Sequence, residues 1–379
     1  MIIGIDASRA NHNQRTGVEE YAFQLVQHLK KVIPVQVGVV LYVDKPLQGE
    51  LAGLPNNWTQ KVLNWPPFGS AQGKPNWKFW TQIRLSWEML WHAPDVLFIP
   101  AHVFSLIHPS KTVMTIHDIA AIKFPQSYNW FERWYSVWSA KYAVRKLWKV
   151  IVPSEFTKNE LTSAFGLQTT EKIKVVSHGY DKRYTIGYKN IEDINKILIK
   201  YNLAGPYLLS VGRLEEKKNI VNVIKAFEKV RLQTSDFRLQ LLLVGKPGYG
   251  YEKIKQAIAS SPYKSDIITP GYVDDEDLPY LFAGAKVFVF PSLSEGFGLP
   301  VLEAMACGCP VVAGSGSASV EVGGEACLYA NPLNAQEIAS ATQQALFQRS
   351  VLSAKGLARV GQFSWNKCAE ETARLLLQA

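Results

Sequence analysis

Val287-Phe-Val-Phe-Pro-Ser-Leu-Ser-Glu-Gly-Phe-Gly-Leu-Pro-Val-Leu-Glu-Ala-Met-Ala306 reads as strand, turn and helix in direct succession. The alternating Val and Phe form a short apolar strand that ends at Pro291. Gly296 and Gly298 let the backbone come close to a ligand. Pro300 suits a first helical position, where its missing N–H would be unpaired anyway. The N–H groups of such a helix start favour an anion such as phosphate. Glu295 then stands in the loop and Glu303 in the first helical turn. Carboxylates accept hydrogen bonds from paired hydroxyls, so one glutamate suits a sugar and the other a ribose. The competing reading is a buried strand–loop–helix whose glutamates are merely solvated.

Outward from this stretch the same pattern repeats. Tyr207-Leu-Leu-Ser-Val-Gly-Arg213 and then Lys217-Lys218-Asn219 form a strand end feeding a helix. Two cations at a strand's carboxyl end neutralise a diphosphate, and Arg does so with bidentate geometry. Leu241-Leu-Leu-Val-Gly245 and Gly271-Tyr-Val273 again place glycine after a strand. Strands are expected at 207–211, 239–244, 267–270, 286–290, 310–313 and 327–330, with helices between them. The first half alternates likewise, with strands at Ile2–Ile5, Val35–Val43, Asp95–Ile99, Lys111–Thr115 and Lys149–Val152. A helix is expected over Gly17–Lys31, and loops between 44 and 76. Alternating β and α predicts parallel sheets covered on both faces. A length of 379 residues predicts two domains.

Charge is unevenly placed. Residues 1–190 hold 22 Lys/Arg against 13 Asp/Glu, whereas residues 191–379 hold 19 of each. Ten of the 11 tryptophans also lie in the first half. A basic, Trp-rich half suggests an anionic partner: a lipid-linked phosphate, a membrane surface or nucleic acid. Trp77, Trp80, Trp87 and Trp91 fall near one helical face, beside Lys74, Lys78 and Arg84; Trp130, Trp134 and Trp138 recur every four residues. An interfacial or acceptor-binding face is one reading; core-facing helices with a basic outer face is the preferred one. No apolar run reaches the ~20 residues of a membrane span, and the chain opens on a strand without a visible signal peptide. Cys307, Cys309, Cys327 and Cys368 lack zinc or redox spacing and read as buried thiols in a reducing cytoplasm.

The Glu295-x7-Glu303 segment, with Gly212-Arg213 and Lys218-Asn219 ahead of it, resembles the retaining GT-B glycosyltransferases of family 4. The resemblance covers nearly the whole chain. It implies an α/β fold of two Rossmann-like parallel-sheet domains facing across a cleft. The implied domains are an acceptor-binding one at 1–187, closed by a helix at 363–379, and a donor-binding one at 188–362. Arg213 and Lys218 match the residues that bind the donor diphosphate, with Gly212 in the same motif. Glu295 would hold the sugar and Glu303 the ribose. Gly245, Tyr272 and Val273 match the nucleotide-binding turns, and Gly296, Phe297, Gly298 and Leu299 the loop against the donor.

In the first half, Gly17 matches a glycine that contacts the donor phosphate, although a helix cap explains it equally well. Thr115-Ile-His117-Asp118 resembles a segment near the donor sugar. His117 is expected to bond a sugar hydroxyl or to lie beside the reacting carbon, and Asp118 to orient the acceptor or a neighbouring group. His178 is expected to be structural. His12, His28, His92, His102 and His108 show no metal spacing, and transfer without a metal or other cofactor is expected.

The implied reaction moves a hexose, mannose first, from a nucleotide-sugar such as GDP-mannose or a UDP-sugar to a saccharide or polyprenyl-linked acceptor. Cytoplasmic location, with peripheral contact to the inner face of the membrane, goes with it, and no nucleic acid is expected. The alternatives are a sugar-nucleotide epimerase or hydrolase of the same architecture, and a non-enzymatic protein binding anionic polymers or lipid.

Overall fold

The computed structural model describes residues 1–12, 15, 17–63, 80–101, 103–185, 190–233 and 238–378. Contacts divide the chain into two units, Met1–Gly179 with Ser364–Ala379, and Tyr180–Phe363. The first division falls ahead of the expected boundary at 187, because Tyr184 is buried in the core of the second unit. Its carbonyl accepts the Cys307 thiol at 3.1 Å.

The first unit is built on parallel strands β1 (Ile2–Asp6), β2 (Gly38–Val43), β3 (Trp58–Val62), β4 (Val96–Ile99), β5 (Thr112–Thr115), β6 (Lys149–Val152) and β7 (Ile173–Val175). Their spatial order is β3-β2-β1-β4-β5-β6-β7. β4 and β5 are buried at every residue, as parallel strands covered on both faces must be. β3 lies where a loop was expected. The Pro and Asn residues around it obscured a short edge strand that pairs with β2 from Val39↔Trp58 to Val43↔Val62. Residues 64–76 of that expected loop are outside the described residues.

Helix Gly17–Val32 turns Tyr21, Ala22, Leu25, Val26 and Leu29 inward, the spacing of an apolar helix face. The closing helix Trp365–Leu377 belongs to this unit and packs on Gly17–Val32. Its Ser364 cap accepts the Lys367 N–H at 3.1 Å. Gly179 makes room for that arrival, since a Cβ there would stand 2.1 Å from the Trp365 nitrogen.

The preferred core reading of the tryptophan stripes is only partly right. Trp80 is buried and donates its ring N–H to the Leu63 carbonyl at 2.9 Å. Trp87, Trp91, Trp130 and Trp134 are exposed, at 62, 66, 79 and 54%. Trp138 is half-buried and packs on the core, which helices Ser86–Trp91 and Trp130–Lys146 otherwise meet through Met89, Tyr135, Ala140 and Ala143. Trp77, Lys74, Lys78 and His102 are outside the described residues.

The second unit carries β8 (Tyr207–Val211), β9 (Gln240–Val244), β10 (Ile267–Gly271), β11 (Val287–Phe290), β12 (Val311–Gly314) and β13 (Cys327–Ala330). All pair in parallel, in the order β10-β9-β8-β11-β12-β13. The chain therefore reverses its direction of travel across the sheet between β8 and β11, where an open α/β sheet leaves a crevice at its carboxyl edge. One apolar cluster fills the side facing helix Leu299–Ala306, and another the side facing helices Ile220–Gln233 and Ala335–Phe347.

All four cysteines are buried, and none is in a disulfide. Burial pushes the thiols of Cys309 and Cys327 up to about 12, and that of Cys368 upward too. Thiolate is the reactive form, so iodoacetamide at pH 8 is expected to label none of them in the native protein and all of them in denaturant. Labelling followed by mass spectrometry checks this; rapid native labelling would contradict the burial.

Candidate functional site

The crevice between β8 and β11 is where the two decisive sequence segments meet. β8 ends in Gly212, whose φ of +140° is a glycine conformation. The chain then makes a short 3-10 turn, Glu216–Lys218, and passes through Asn219, which is left-handed at φ +62°, into helix Ile220–Gln233. β11 ends at Phe290, and Pro291–Gly298 leads into helix Leu299–Ala306. The helix starts at Leu299 behind left-handed Gly298, which puts Pro300 second rather than first. Glu303 accordingly sits in the second turn.

Backbone and side-chain bonds hold the two loops together. The Leu293 N–H donates to the Lys217 carbonyl at 2.9 Å, and Asn219 Nδ2 donates to the Pro291 carbonyl at 3.1 Å. Lys218 Nζ donates to Glu295 Oε1 at 2.6 Å, with both side chains largely shielded from solvent. Ser292 Oγ, itself buried, donates to the same Oε1 at 2.6 Å. Glu295 Oε2 accepts no hydrogen bond from the described residues and remains as a fixed acceptor. The Lys218 ammonium has three protons and uses one on Glu295. It lies 4.9 Å above the Phe290 ring, which leaves its remaining donors for an anion.

Glycines pave the rest of this edge. Gly212 N–H donates to the Val244 carbonyl, and Gly245 N–H to the Gly271 carbonyl. A Cβ on Gly245 would stand 1.9 Å from the Gly212 carbonyl oxygen. Arg213 is exposed, and its stem lies over Gly248, where a Cβ would come within 2.7 Å of it. Its guanidinium makes no hydrogen bond or ion pair with a described residue. Tyr272 is exposed and donates its hydroxyl to Asp275 at 2.9 Å, with Lys246 over its ring. Phe297 and Val273 are buried in the apolar cluster, and Phe297 meets Phe363 edge-on, so these two side chains anchor their loops. Any ligand contact at these two positions would come from backbone.

A family model described as "Glycosyltransferase Family 4" matches residues 15–184, and one described as "Glycosyl transferases group 1" matches residues 192–354. The chain is 31% identical to the Escherichia coli O-antigen chain mannosyltransferase B, over 75% of this chain and 73% of that protein. It belongs to glycosyltransferase family 4. The Salmonella typhimurium O-antigen chain mannosyltransferase RfbU is 26% identical over 58% of this chain and 56% of its own. The Escherichia coli serotype-specific mannosyltransferase WbdA is 27% identical over 69% of this chain, which spans 32% of that longer protein. In fold the chain matches the crystal structure of Anabaena HepE in complex with UDP-glucose, with a TM-score of 0.74 at 18% identity, covering 100% of this chain and 99% of that one. WaaG, a glycosyltransferase involved in lipopolysaccharide biosynthesis, matches with a TM-score of 0.73 at 14% identity, and both chains are fully covered. The architecture is GT-B, and the protein is a hexosyltransferase.

In the first unit of this glycosyltransferase, Gly17 opens its helix in open space, with nothing within 4 Å of a built Cβ. Packing within the protein therefore does not require a glycine there. His117 follows β5, and its Nε2 meets the Pro100 carbonyl at 3.0 Å. A carbonyl only accepts, so Nε2 carries a proton in this contact. Asp118 Oδ1 accepts the Ala120 N–H at 3.0 Å, a turn-forming bond at the start of helix Ala120–Lys123. His178 is buried against His117, Tyr21 and Trp365.

Burial, and secondarily His117, hold His178 well below the usual imidazole range. The unfolded chain binds a proton near 6.5 that the folded chain refuses, so stability falls as pH drops below about 6.5 and is unaffected above it. His178→Phe is expected to narrow the loss of melting temperature between pH 6.5 and 5. An unchanged pH profile would contradict the assignment.

Two residues of these sites carried no weight in the sequence. Ser292 orients the crevice, but a lone serine in a loop has no spacing signature. Asp6 ends β1, buried, with Oδ1 accepting both the N–H and the hydroxyl of Ser8. Burial raises its carboxyl above the ordinary range. A carboxylate closing an apolar strand was the available signal for it.

Proposed function

We propose that this family 4 enzyme is a retaining mannosyltransferase that moves mannose from GDP-mannose to a hydroxyl of a growing saccharide or lipid-linked glycan. The observation that carries the reading is the Lys218–Glu295 pair on the crevice of the second unit. It joins a shielded cation, suited to a diphosphate, to a fixed carboxylate oxygen, suited to sugar hydroxyls. The relatives named O-antigen chain mannosyltransferase support mannose and a polysaccharide product.

In this mechanism Lys218, Arg213 and the N–H groups at the start of helix Leu299–Ala306 stabilise the leaving nucleoside diphosphate. The bond from the anomeric carbon to phosphate oxygen breaks as the acceptor oxygen bonds to that carbon on the same face. The acceptor proton passes to a phosphate oxygen, so charge and atoms balance without an enzymic base. Glu295 Oε2 accepts sugar hydroxyls, Glu303 the ribose, and the turn at Tyr272–Val273 meets the base through its backbone. Gly17 and His117 are assigned to the donor phosphate and sugar, and Asp118 to the acceptor side. Neutralisation of the diphosphate by Lys218 and Arg213 makes the reaction independent of a metal.

Binding to the folded state alone raises the melting point. GDP-mannose at a hundredfold excess over its dissociation constant contributes about 2.7 kcal/mol. GDP-mannose is expected to raise the melting temperature more than UDP-glucose or UDP-N-acetylglucosamine at equal concentration. A larger shift with a UDP-sugar would replace the donor, and no shift with any of the three would overturn the reading.

A further inference from the structure

The first unit exposes an apolar belt to which the mechanism above assigns no role. Segment 80–91 is apolar on two faces. Trp80 and Met89 are buried, while Ile83, Trp87, Leu90 and Trp91 recur at helical spacing on the opposite side and are exposed. Leu106 and Ile107 are exposed in the next loop, where the Ile107 N–H donates to Ser86 Oγ at 3.3 Å. That loop's Phe104 stacks on Trp138 at 5.5 Å and on Tyr142 at 4.9 Å, and its carbonyl accepts the Tyr135 hydroxyl at 3.3 Å. Helix Trp130–Lys146 thereby joins the belt. On its outer face Trp134 stacks on Trp138 at 6.0 Å and 8°, beside exposed Trp130 and Phe131.

Cations share this face. Along the helix, Lys141 and Arg145 continue the Trp130–Trp134–Trp138 stripe, and Arg133 flanks it, all three exposed. The carboxylates nearby are turned to other work. Glu132 closes the capping box with Asn129, and Glu88 is buried in contact with Lys61, Arg84 and His92. Monomeric proteins rarely expose a contiguous apolar patch of this kind without a partner.

We propose that the belt formed by Ile83–Trp91, Leu106–Ile107 and Trp130–Trp134 docks the enzyme on an anionic lipid bilayer. Tryptophan rings sit at the level of lipid headgroups, with Leu and Ile entering the acyl boundary. Arg133, Lys141 and Arg145 lie where they meet anionic headgroups. The aliphatic residues distinguish this surface from a sugar-stacking platform, which uses ring faces and gains nothing from Ile83, Leu90, Leu106 or Ile107. A second copy of the same face would set cation against cation across a two-fold axis. No helix among the described residues is long and apolar enough to cross a membrane, so attachment through these residues is to the surface.

The test is co-sedimentation of the full-length protein with vesicles of phosphatidylcholine, with and without ~30% phosphatidylglycerol, a fraction chosen to give a strongly negative surface. The wild type is expected to partition at least about tenfold more strongly onto the anionic vesicles, and added salt should weaken it. Trp130→Ser/Trp134→Ser and Arg133→Gln/Lys141→Gln are each expected to lose about tenfold or more in partition while keeping the wild-type melting temperature, since all four side chains are exposed. Absence of vesicle binding would overturn the proposal, as would binding indifferent to both double variants. Sedimentation velocity without lipid gives an independent outcome. Self-association abolished by Trp130→Ser/Trp134→Ser would assign the belt to a protein interface instead, and so also overturn it.

Discussion

Lys218→Ala and Glu295→Ala are each expected to lower kcat/KM for glycosyl transfer by about a thousandfold, roughly 4 kcal/mol of transition-state stabilisation. Lys218 is the cation best placed to meet the leaving diphosphate, because its ammonium is shielded, held at 2.6 Å by Glu295 and seated above Phe290. A preorganised charge in a shielded site is worth far more than the same charge in water, since nothing has to reorient as the phosphate departs. Removing Glu295 removes both the proposed acceptor for the sugar and the anchor that fixes Lys218. The two changes act on one unit, so the double variant should be little worse than either single one. The fold should survive, because Asn219, Leu293 and Ser292 still bind the two loops together. Steady-state kinetics with circular dichroism on the same preparations checks this. Full activity in either variant would remove the pair from the reaction.

Gly245→Ala is expected to have the largest effect on stability. The residue has φ +147°, and its Cβ would stand 1.9 Å from a backbone oxygen that cannot swing away. Overpacking of this kind costs about 1–3 kcal/mol, and the backbone conformation adds about 1–3 more. For units of this size that corresponds to a melting temperature lower by roughly 5–15 °C. Gly17→Ala is the control, since nothing within 4 Å opposes its Cβ. It should melt with the wild type and still lose activity if Gly17 meets the donor phosphate. Equal melting temperatures for both variants and the wild type would refute the close approach of β8 and β9 at their glycine ends.

Much of the fold was readable because parallel strands buried on both faces are short continuous apolar runs. Tyr207–Val211, Lys149–Val152 and Cys327–Ala330 coincide with the expected ranges. β3 was not readable, because an edge strand needs only one apolar face and Trp58-Thr-Gln-Lys-Val62 sits among turn residues. The tryptophans misled for a related reason. Spacing of four shows that Trp130, Trp134 and Trp138 share a helix face, but of the three only Trp138 packs on the core, which otherwise takes Tyr135, Ser139, Ala140 and Ala143. Spacing identifies a face and says nothing about what covers it.

The site divides in the same way. Gly-Arg, Lys-Asn and the two glutamates stand out in sequence because charge next to glycine at a strand end is conspicuous. The contact between Lys218 and Glu295 follows from the strand order β8-β11, which joins residues 77 apart in sequence. Ser292 became legible only through its hydrogen bonds. Phe297 and Val273 show the reverse, since both sit in motif positions yet their side chains serve the apolar core.

The proposed transfer of mannose, with retention, from GDP-mannose through the Lys218–Glu295 crevice is tested most directly by nuclear magnetic resonance of the reaction with GDP-mannose and a saccharide acceptor. The expected result is one new glycosidic linkage per GDP released, with the anomeric configuration of the donor. An inverted linkage, or GDP released with free mannose in place of a new bond, would contradict it.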